Sequence, residues 1–346
     1  MELDERKQYI LQAIVDDYIM TGVPIGSHTI CQKYDMGLSS ATIRNEMAGL
    51  EEMGFLSHPH TSAGRIPLEK AYRLYVDRMM KIAPLKKSEI DMIVGYFSRR
   101  IDEVEQVINQ TAKLLSEMTS YVSVVLAPQI SRVKIKHIQL VPVTETKALA
   151  VIVTDAGLIK DAFIRIPEGI DADYLDMVSK TLTGQLRGRS TSEVDAVLTD
   201  MAENIIDQTR FFNLVVDALR DSVKPSEQRD VILGGTNNIF KHPEYKDIDR
   251  ARSLLQALET KDMLYRMFSR AMPMEFTISI GSENEFEPVQ DCSIVSATYS
   301  IGGRELGSFG VIGPTRMDYG KVVSLLGYLG RSLNEILLKI AQNEEK

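Results

Sequence analysis

Residues 38–56 read Leu38-Ser39-Ser40-Ala41-Thr42-Ile43-Arg44-Asn45-Glu46-Met47-Ala48-Gly49-Leu50-Glu51-Glu52-Met53-Gly54-Phe55-Leu56. Ile43, Met47 and Leu50 recur at helical spacing, so one face of this stretch is apolar. Ser39 or Ser40 is suited to start the helix and Gly54 to stop it. Stepping 100° per residue from Ile43 puts Ala41, Thr42, Arg44, Asn45 and Ala48 on the outward face. These residue types suit base edges. Asn pairs with adenine, Arg with guanine, and Ala or the Thr methyl meets the thymine methyl.

Two helices are expected upstream. Ile10, Ile14, Tyr18, Leu11, Val15 and Ile19 mark the first, with Asp4 as N-cap and Gly22-Pro24 as its stop. Ser27 is expected to cap the short second, with Ile30 inward. Downstream, Phe55-Leu56-Ser57 and Arg65-Ile66 flank a polar loop, His58 to Gly64, and Pro67 is expected to open a helix to about Ile82. Three helices and a hairpin are the order of a winged helix-turn-helix. The same pattern serves a helical protein-interaction module, and the pattern alone does not separate the two. Residues 1–56 hold four Lys/Arg and nine Asp/Glu, whereas residues 57–81 hold five Lys/Arg against two acids. Phosphate contacts are therefore expected in the hairpin and the helix behind it.

After Pro84 a charged helical stretch runs from 86 to 118, and then the pattern changes. Val- and Ile-rich runs at 121–127, 133–143, 148–154 and 158–166 read as strands. Helical patterns follow at 171–187 and 193–223, a strand at 231–233, and helices at 247–271. Strands at 275–280, 293–300 and 307–312 precede a last helix at about 318–341. The expected organisation is multidomain α+β: a head at 1–82, an α/β domain at 83–194 and 274–346, and a mostly helical insertion at 195–273. The chain has 346 residues, room for two or three domains.

Hydrophobic residues at 44% and charged residues at 25% are ordinary for a folded protein and exclude global disorder. The net charge of −8 excludes a chain coated in positive charge, but leaves room for a nucleic-acid reader with clustered cations. The acidic start is not a secretory signal, and no apolar run approaches the roughly 18 residues of a membrane span. The expected compartment is the cytoplasm. Cys31 and Cys292 stand far apart, without a CxxC, and are read as free thiols.

Other constellations carry weaker signals. His58 and His60 could ligate a metal, but without nearby Cys they suit phosphate or hairpin contacts better. Gly302-Gly303 reads as a hairpin turn, since neither GxGxxG nor GxxxxGK[ST] is present. No GxSxG or HExxH occurs, and Asp291-Cys292 has no neighbouring His, so an enzyme is a formal alternative only. Arg44 has a second reading, a surface ion pair with Glu51 or Glu52.

The stretch quoted above, together with Pro59-His60-Thr61-Ser62-Ala63-Gly64-Arg65-Ile66-Pro67, closely resembles the HrcA family of bacterial heat-inducible transcription repressors. Gly310-Val311-Ile312-Gly313-Pro314-Thr315-Arg316-Met317-Asp318-Tyr319 and the region around Gly234-Gly235-Thr236-Asn237 resemble it too. The resemblance implies a winged-helix head, a GAF-like central domain and an inserted dimerisation domain. It implies a homodimer on double-stranded DNA carrying an inverted repeat, CIRCE, before chaperone operons, with activity maintained by the GroEL chaperonin. No cofactor is implied. It also implies that the matched segments carry the DNA contacts. The candidate residues are Ser39, Ser40, Ala41, Thr42, Arg44, Asn45, His60, Thr61, Ser62 and Arg65. Arg44 and Asn45 are expected to read bases with Thr42 assisting, and Arg65 to hold the backbone or minor groove.

Overall fold

The structure is a computed structural model that describes residues 3–59, 64–97, 103–128, 133–167, 169–204, 214–219, 231–269, 276–301 and 304–343. Three helices open the chain: α1 (Glu5–Thr21), α2 (Ser27–Lys33) and α3 (Ser40–Glu52). Their caps are local chemistry. The Asp4 carboxylate accepts from the Lys7 amide at 2.8 Å, and the Ser39 hydroxyl accepts from the Thr42 amide at 3.1 Å. Gly22, left-handed at φ 65°, ends α1. Ser27 is not the cap of α2. Gly26 occupies that position, and the buried Ser27 hydroxyl bonds the Ser40 hydroxyl at 3.0 Å. Ile10, Leu11, Ile14, Ile30, Ile43 and Leu50 are fully buried where the helices meet.

Two short strands follow, β1 (Leu56–Ser57) and β2 (Ile66–Pro67), paired antiparallel with Leu56 opposite Pro67. Ile25 bridges to Arg65 on the far side. Pro67 therefore ends a strand and does not begin a helix: it stands opposite Leu56, and the amide of Leu68 after it donates to the Phe55 carbonyl at 2.9 Å. The helix α4 (Glu69–Leu74) starts two residues later and widens into a π-helical turn at Tyr75–Met79. The expected 86–118 helix is two: α5 (Lys87–Phe97) and α6 (Val104–Thr119).

The rest divides into two cores. One surrounds a five-stranded antiparallel sheet of β3 (Val122–Leu126), β7 (Val231–Gly234), β8 (Thr277–Ile280), β9 (Cys292–Ile301) and β10 (Arg304–Pro314), in the order β7-β3-β10-β9-β8. Strand alternation splits its side chains between two faces. Val125, Val295, Ala297, Tyr299, Phe309 and Val311 pack with α6 and with α11 (Tyr319–Asn343), in a core that continues into the head. Val122, Val124, Leu126, Ile294 and Ile312 face α9 (Ile248–Glu259) and α10 (Lys261–Ser269).

The second core has its own sheet: β4 (Ile135–Thr144), β5 (Lys147–Thr154) and β6 (Ile159–Arg165) in the order β4-β5-β6. Ile138, Leu140, Ala150, Ile152 and Ile164 pack there with α7 (Ala172–Leu186), α8 (Thr191–Asn204) and the helical residues 214–219. This corrects the expected insertion at 195–273. The separate unit takes in strands β4–β6, which were expected in the α/β domain, and residues 231–269 return to the five-stranded sheet. Periodicity identified the strands, but the pairing of β3 with β7 and β10 is non-local and leaves no periodic trace. Gly302 and Gly303 lie outside the described residues, between Ile301 and Arg304, which pair across the β9–β10 ladder.

Candidate DNA-reading face

The head presents α3 on its surface. Ile43, Met47 and Leu50 point inward. Of the face drawn from 100° steps, Ala41, Arg44 and Asn45 are exposed, and Thr42 and Ala48 are half-buried. The hydroxyls at its start are engaged: Ser39 caps the helix and bonds Thr42 Oγ1 at 2.9 Å, and Ser40 bonds Ser27. Arg44 has no ion-pair partner among the described residues, and its alternative partner Glu51 is taken by Arg65. Of the other two acids on this helix, Glu46 is held sideways by Lys7 at 2.9 Å and Arg6 at 3.5 Å, and Glu52 is exposed. Glu46 and Glu51 are thus paired with cations, which lowers the repulsion those two carboxylates would offer an approaching phosphate.

The hairpin region behaves differently from its charge count. Arg65 lies against α3, not away from it. Its Nη2 is 2.9 Å from Glu51 Oε2, and its Nη1 donates to His58 Nδ1 at 2.6 Å. Lys70 donates to the Met53 carbonyl and lies 4.5 Å over the Phe55 ring. Arg73 reaches into the body, where its Nε donates to Glu283 and its Nη2 to the Ile278 carbonyl at 2.8 Å. Arg65, Lys70 and Arg73, expected to meet phosphate, are therefore employed within the protein. Composition could not show this, because each partner comes from another element. His60, Thr61 and Ser62 lie outside the described residues.

The head is fixed to the body by further polar contacts. Glu69 accepts from the Ser282 amide at 3.1 Å, Arg316 pairs with Glu244, and its Nη1 donates to the Ile19 carbonyl at 3.2 Å. A cavity of 160 Å³ remains at this junction, walled by Glu69, Tyr72, Glu244, Tyr245 and Arg250. It is smaller than the roughly 300 Å³ at which small-molecule sites begin.

Cys292 is buried, and burial pushes its thiol up to about 11. A thiol is a nucleophile only as thiolate, so this group is inert at neutral pH. Iodoacetamide at pH 8 is expected to leave Cys292 unlabelled in the native protein and to label it after denaturation. Rapid native labelling, read by peptide mass spectrometry, would contradict this environment.

Comparison with known proteins agrees with this architecture. Residues 105–323 match the model of the HrcA protein C terminal domain. A heat-inducible transcription repressor HrcA of Ruminiclostridium cellulolyticum is 40% identical over 347 residues, covering 99% of this chain and 100% of that protein. Another, of Pelotomaculum thermopropionicum, is 41% identical over 346 residues, covering 99% of both. A crystal structure of a hypothetical protein superposes with a TM-score of 0.69 at 25% identity, over 98% of this chain and 100% of that one. The class these relatives define is that of transcription repressors, not enzymes. The chain belongs to the HrcA family, whose curated members are heat-inducible repressors. Among the described residues no helix is long and apolar enough to cross a membrane.

Proposed function

We propose that the chain is a heat-inducible repressor that binds double-stranded DNA through a winged helix-turn-helix head and reads a CIRCE-type inverted repeat as a homodimer. The observation that carries the reading is the exposed Ala41–Arg44–Asn45 face of α3, whose neighbouring acids Glu46 and Glu51 are both paired. In this reading the five-stranded domain is GAF-like and sets the orientation of the head through Arg73, Glu69 and Arg316. His60, Thr61 and Ser62 are proposed to follow the backbone beside the groove.

The homodimer seam is assigned to the outer face of β4–β6. The register puts Val141, Leu149 and Phe163 side by side, with Val153 and Ile159 further along. Phe163 is 67% exposed and Ile159 57%. On this outer face the two apolar rungs flank Gln139, Val151 and Asp161, and the helices cover only the inner face, so an exposed apolar patch with a polar strip is left for a partner. A second copy supplies the other cover with two-fold symmetry, which matches a two-fold operator. In the proposed regulation, GroEL maintains the supply of folded dimer and is drawn away by unfolded protein on heating.

The test is a titration of a CIRCE-type inverted repeat against a scrambled duplex at the same salt, with and without GroEL. Selective binding is expected, with a larger active fraction in the presence of GroEL. Arg44→Ala and Asn45→Ala are each expected to cost about 1–3 kcal/mol on the repeat and less on the scrambled duplex. Unchanged affinity in both variants would remove α3 from the interface. Equal binding of both duplexes by the wild type would leave only backbone contact.

A further inference from the structure

Arg65 follows the polar loop of the head, in the position where a hairpin cation would ordinarily grip a phosphate. Its side chain is only 15% exposed. One guanidinium edge faces the Glu51 carboxylate at 2.9 Å, and a second nitrogen donates to His58 Nδ1 at 2.6 Å. His58 Nε2 in turn lies 3.8 Å from Glu51 Oε2, so the three side chains close a triangle. Glu51 belongs to the last turn of α3, His58 directly follows β1, and Arg65 directly precedes β2. The backbone of Arg65 is tied as well. Its amide donates to the Ile25 carbonyl at 2.8 Å and its carbonyl accepts from the Ile25 amide at 2.9 Å. At the preceding residue a Cβ on Gly64 would stand 2.3 Å from the Ile25 carbonyl carbon, so the strand cannot shift toward Ile25.

We infer that Glu51, Arg65 and His58 form a clamp that fixes both ends of the hairpin loop against the reading helix, and that Arg65 is a positioning residue for DNA recognition, not a phosphate contact. The inference rests on the DNA-reading role proposed for the head. Two of the five guanidinium donors hold the carboxylate and the imidazole, Nε is buried without a partner, and the charge is offset by Glu51, so what limits a phosphate contact is the burial and orientation of the group rather than a shortage of donors. What the clamp contributes is geometry. It keeps His58 and Arg65, on either side of the loop, at a fixed position against α3, so that this part of the ordering is complete before DNA arrives.

The two roles predict opposite results. A phosphate contact adds about one released counterion to binding, and lysine replaces arginine there as a point charge. A clamp needs two donors at fixed angles, which lysine does not supply. Removing Glu51 deletes a negative charge beside the DNA, so simple electrostatics predicts tighter binding, whereas loss of the clamp predicts weaker binding.

The experiment is fluorescence anisotropy with an inverted-repeat duplex and a scrambled duplex over a salt series, using full-length wild type, Arg65→Ala, Arg65→Lys, Glu51→Ala and Glu51→Ala/Arg65→Ala. Arg65→Ala and Glu51→Ala are each expected to weaken binding to the repeat about tenfold, and the double variant no further, as coupled residues do. The salt slopes are expected to run parallel to the wild type, and Arg65→Lys is expected to resemble Arg65→Ala. Glu51→Gln, which preserves shape, replaces Glu51→Ala if thermal melting shows that variant unfolded. A slope reduced by about one in Arg65→Ala and restored in Arg65→Lys would overturn the clamp, as would tighter binding by Glu51→Ala. Failure of the wild type to prefer the repeat would instead overturn the DNA-reading role of the head, and the clamp with it.

Discussion

In the proposed homodimer, Phe163→Glu is expected to give a folded monomer that has lost high-affinity binding to the inverted repeat. The side chain is 67% exposed on the edge strand β6, paired with Leu149, whose other neighbour across the same face is Val141 on β4. In a two-fold seam one substitution acts twice, so two carboxylates would lose water on association, each at a cost of several kcal/mol. The isolated chain loses nothing comparable, because the residue makes no core contact within it. The effect on DNA follows from linkage. Two heads joined in a dimer bind the second half-site at high effective concentration, and this raises affinity by about 10²–10⁴-fold without new contacts. Phe163→Glu should therefore bind a single half-site as the wild-type head does, yet lose that whole factor on the full repeat. Phe163→Leu, which keeps the face apolar, should retain the dimer. Sedimentation of Phe163→Glu as the wild-type dimer would place the seam elsewhere.

The head was readable because what builds it is local. Asp4, Gly22 and Ser39 cap or stop helices using neighbours within four residues, and Ile43, Met47 and Leu50 sit one helical turn apart. The outward face of α3 follows from the same geometry. Pro67 misled because a proline suits either the end of an edge strand or the start of a helix, and only the pairing with Leu56 decides. The body was misdivided for a related reason. β4–β6 and the five strands of the other sheet share one composition, and nothing in a Val-rich run says which strand it will pair with. The apolar outer face of β4–β6 was legible in principle, since Leu149, Val151 and Val153 alternate with buried Ala148, Ala150 and Ile152. A run apolar on both faces asks for two covers. Charge counting could not show how Arg65, Lys70 and Arg73 are held, because it treats every cation as solvated, whereas each of these has a partner brought in from another element.

Gly310→Ala is expected to destabilise the body by about 3 kcal/mol or more. The residue lies in β10 opposite Ser296, between the fully buried Phe309 and Val311. A Cβ there would stand 2.1 Å from the Val295 carbonyl oxygen and 2.7 Å from the Ser296 Cα. Both are backbone atoms of β9, and β9 and β10 are interior strands with neighbours on either side. Neither can retreat without breaking a ladder, and the alternative of tilting β10 pushes Phe309 and Val311 out of a close-packed core. The cost is therefore steric, distinct from the usual small penalty or gain of exchanging glycine for alanine in a strand. Gly327→Ala supplies the contrast. That glycine lies inside α11, where a Cβ would meet only the end of the Arg331 side chain, at 3.9 Å. There the helix propensity of alanine should stabilise by up to about 1 kcal/mol. Denaturant unfolding of the two variants should move the midpoint in opposite directions from the wild type. A Gly310→Ala midpoint equal to that of the wild type would mean that β9 and β10 are spaced more loosely than the ladder indicates.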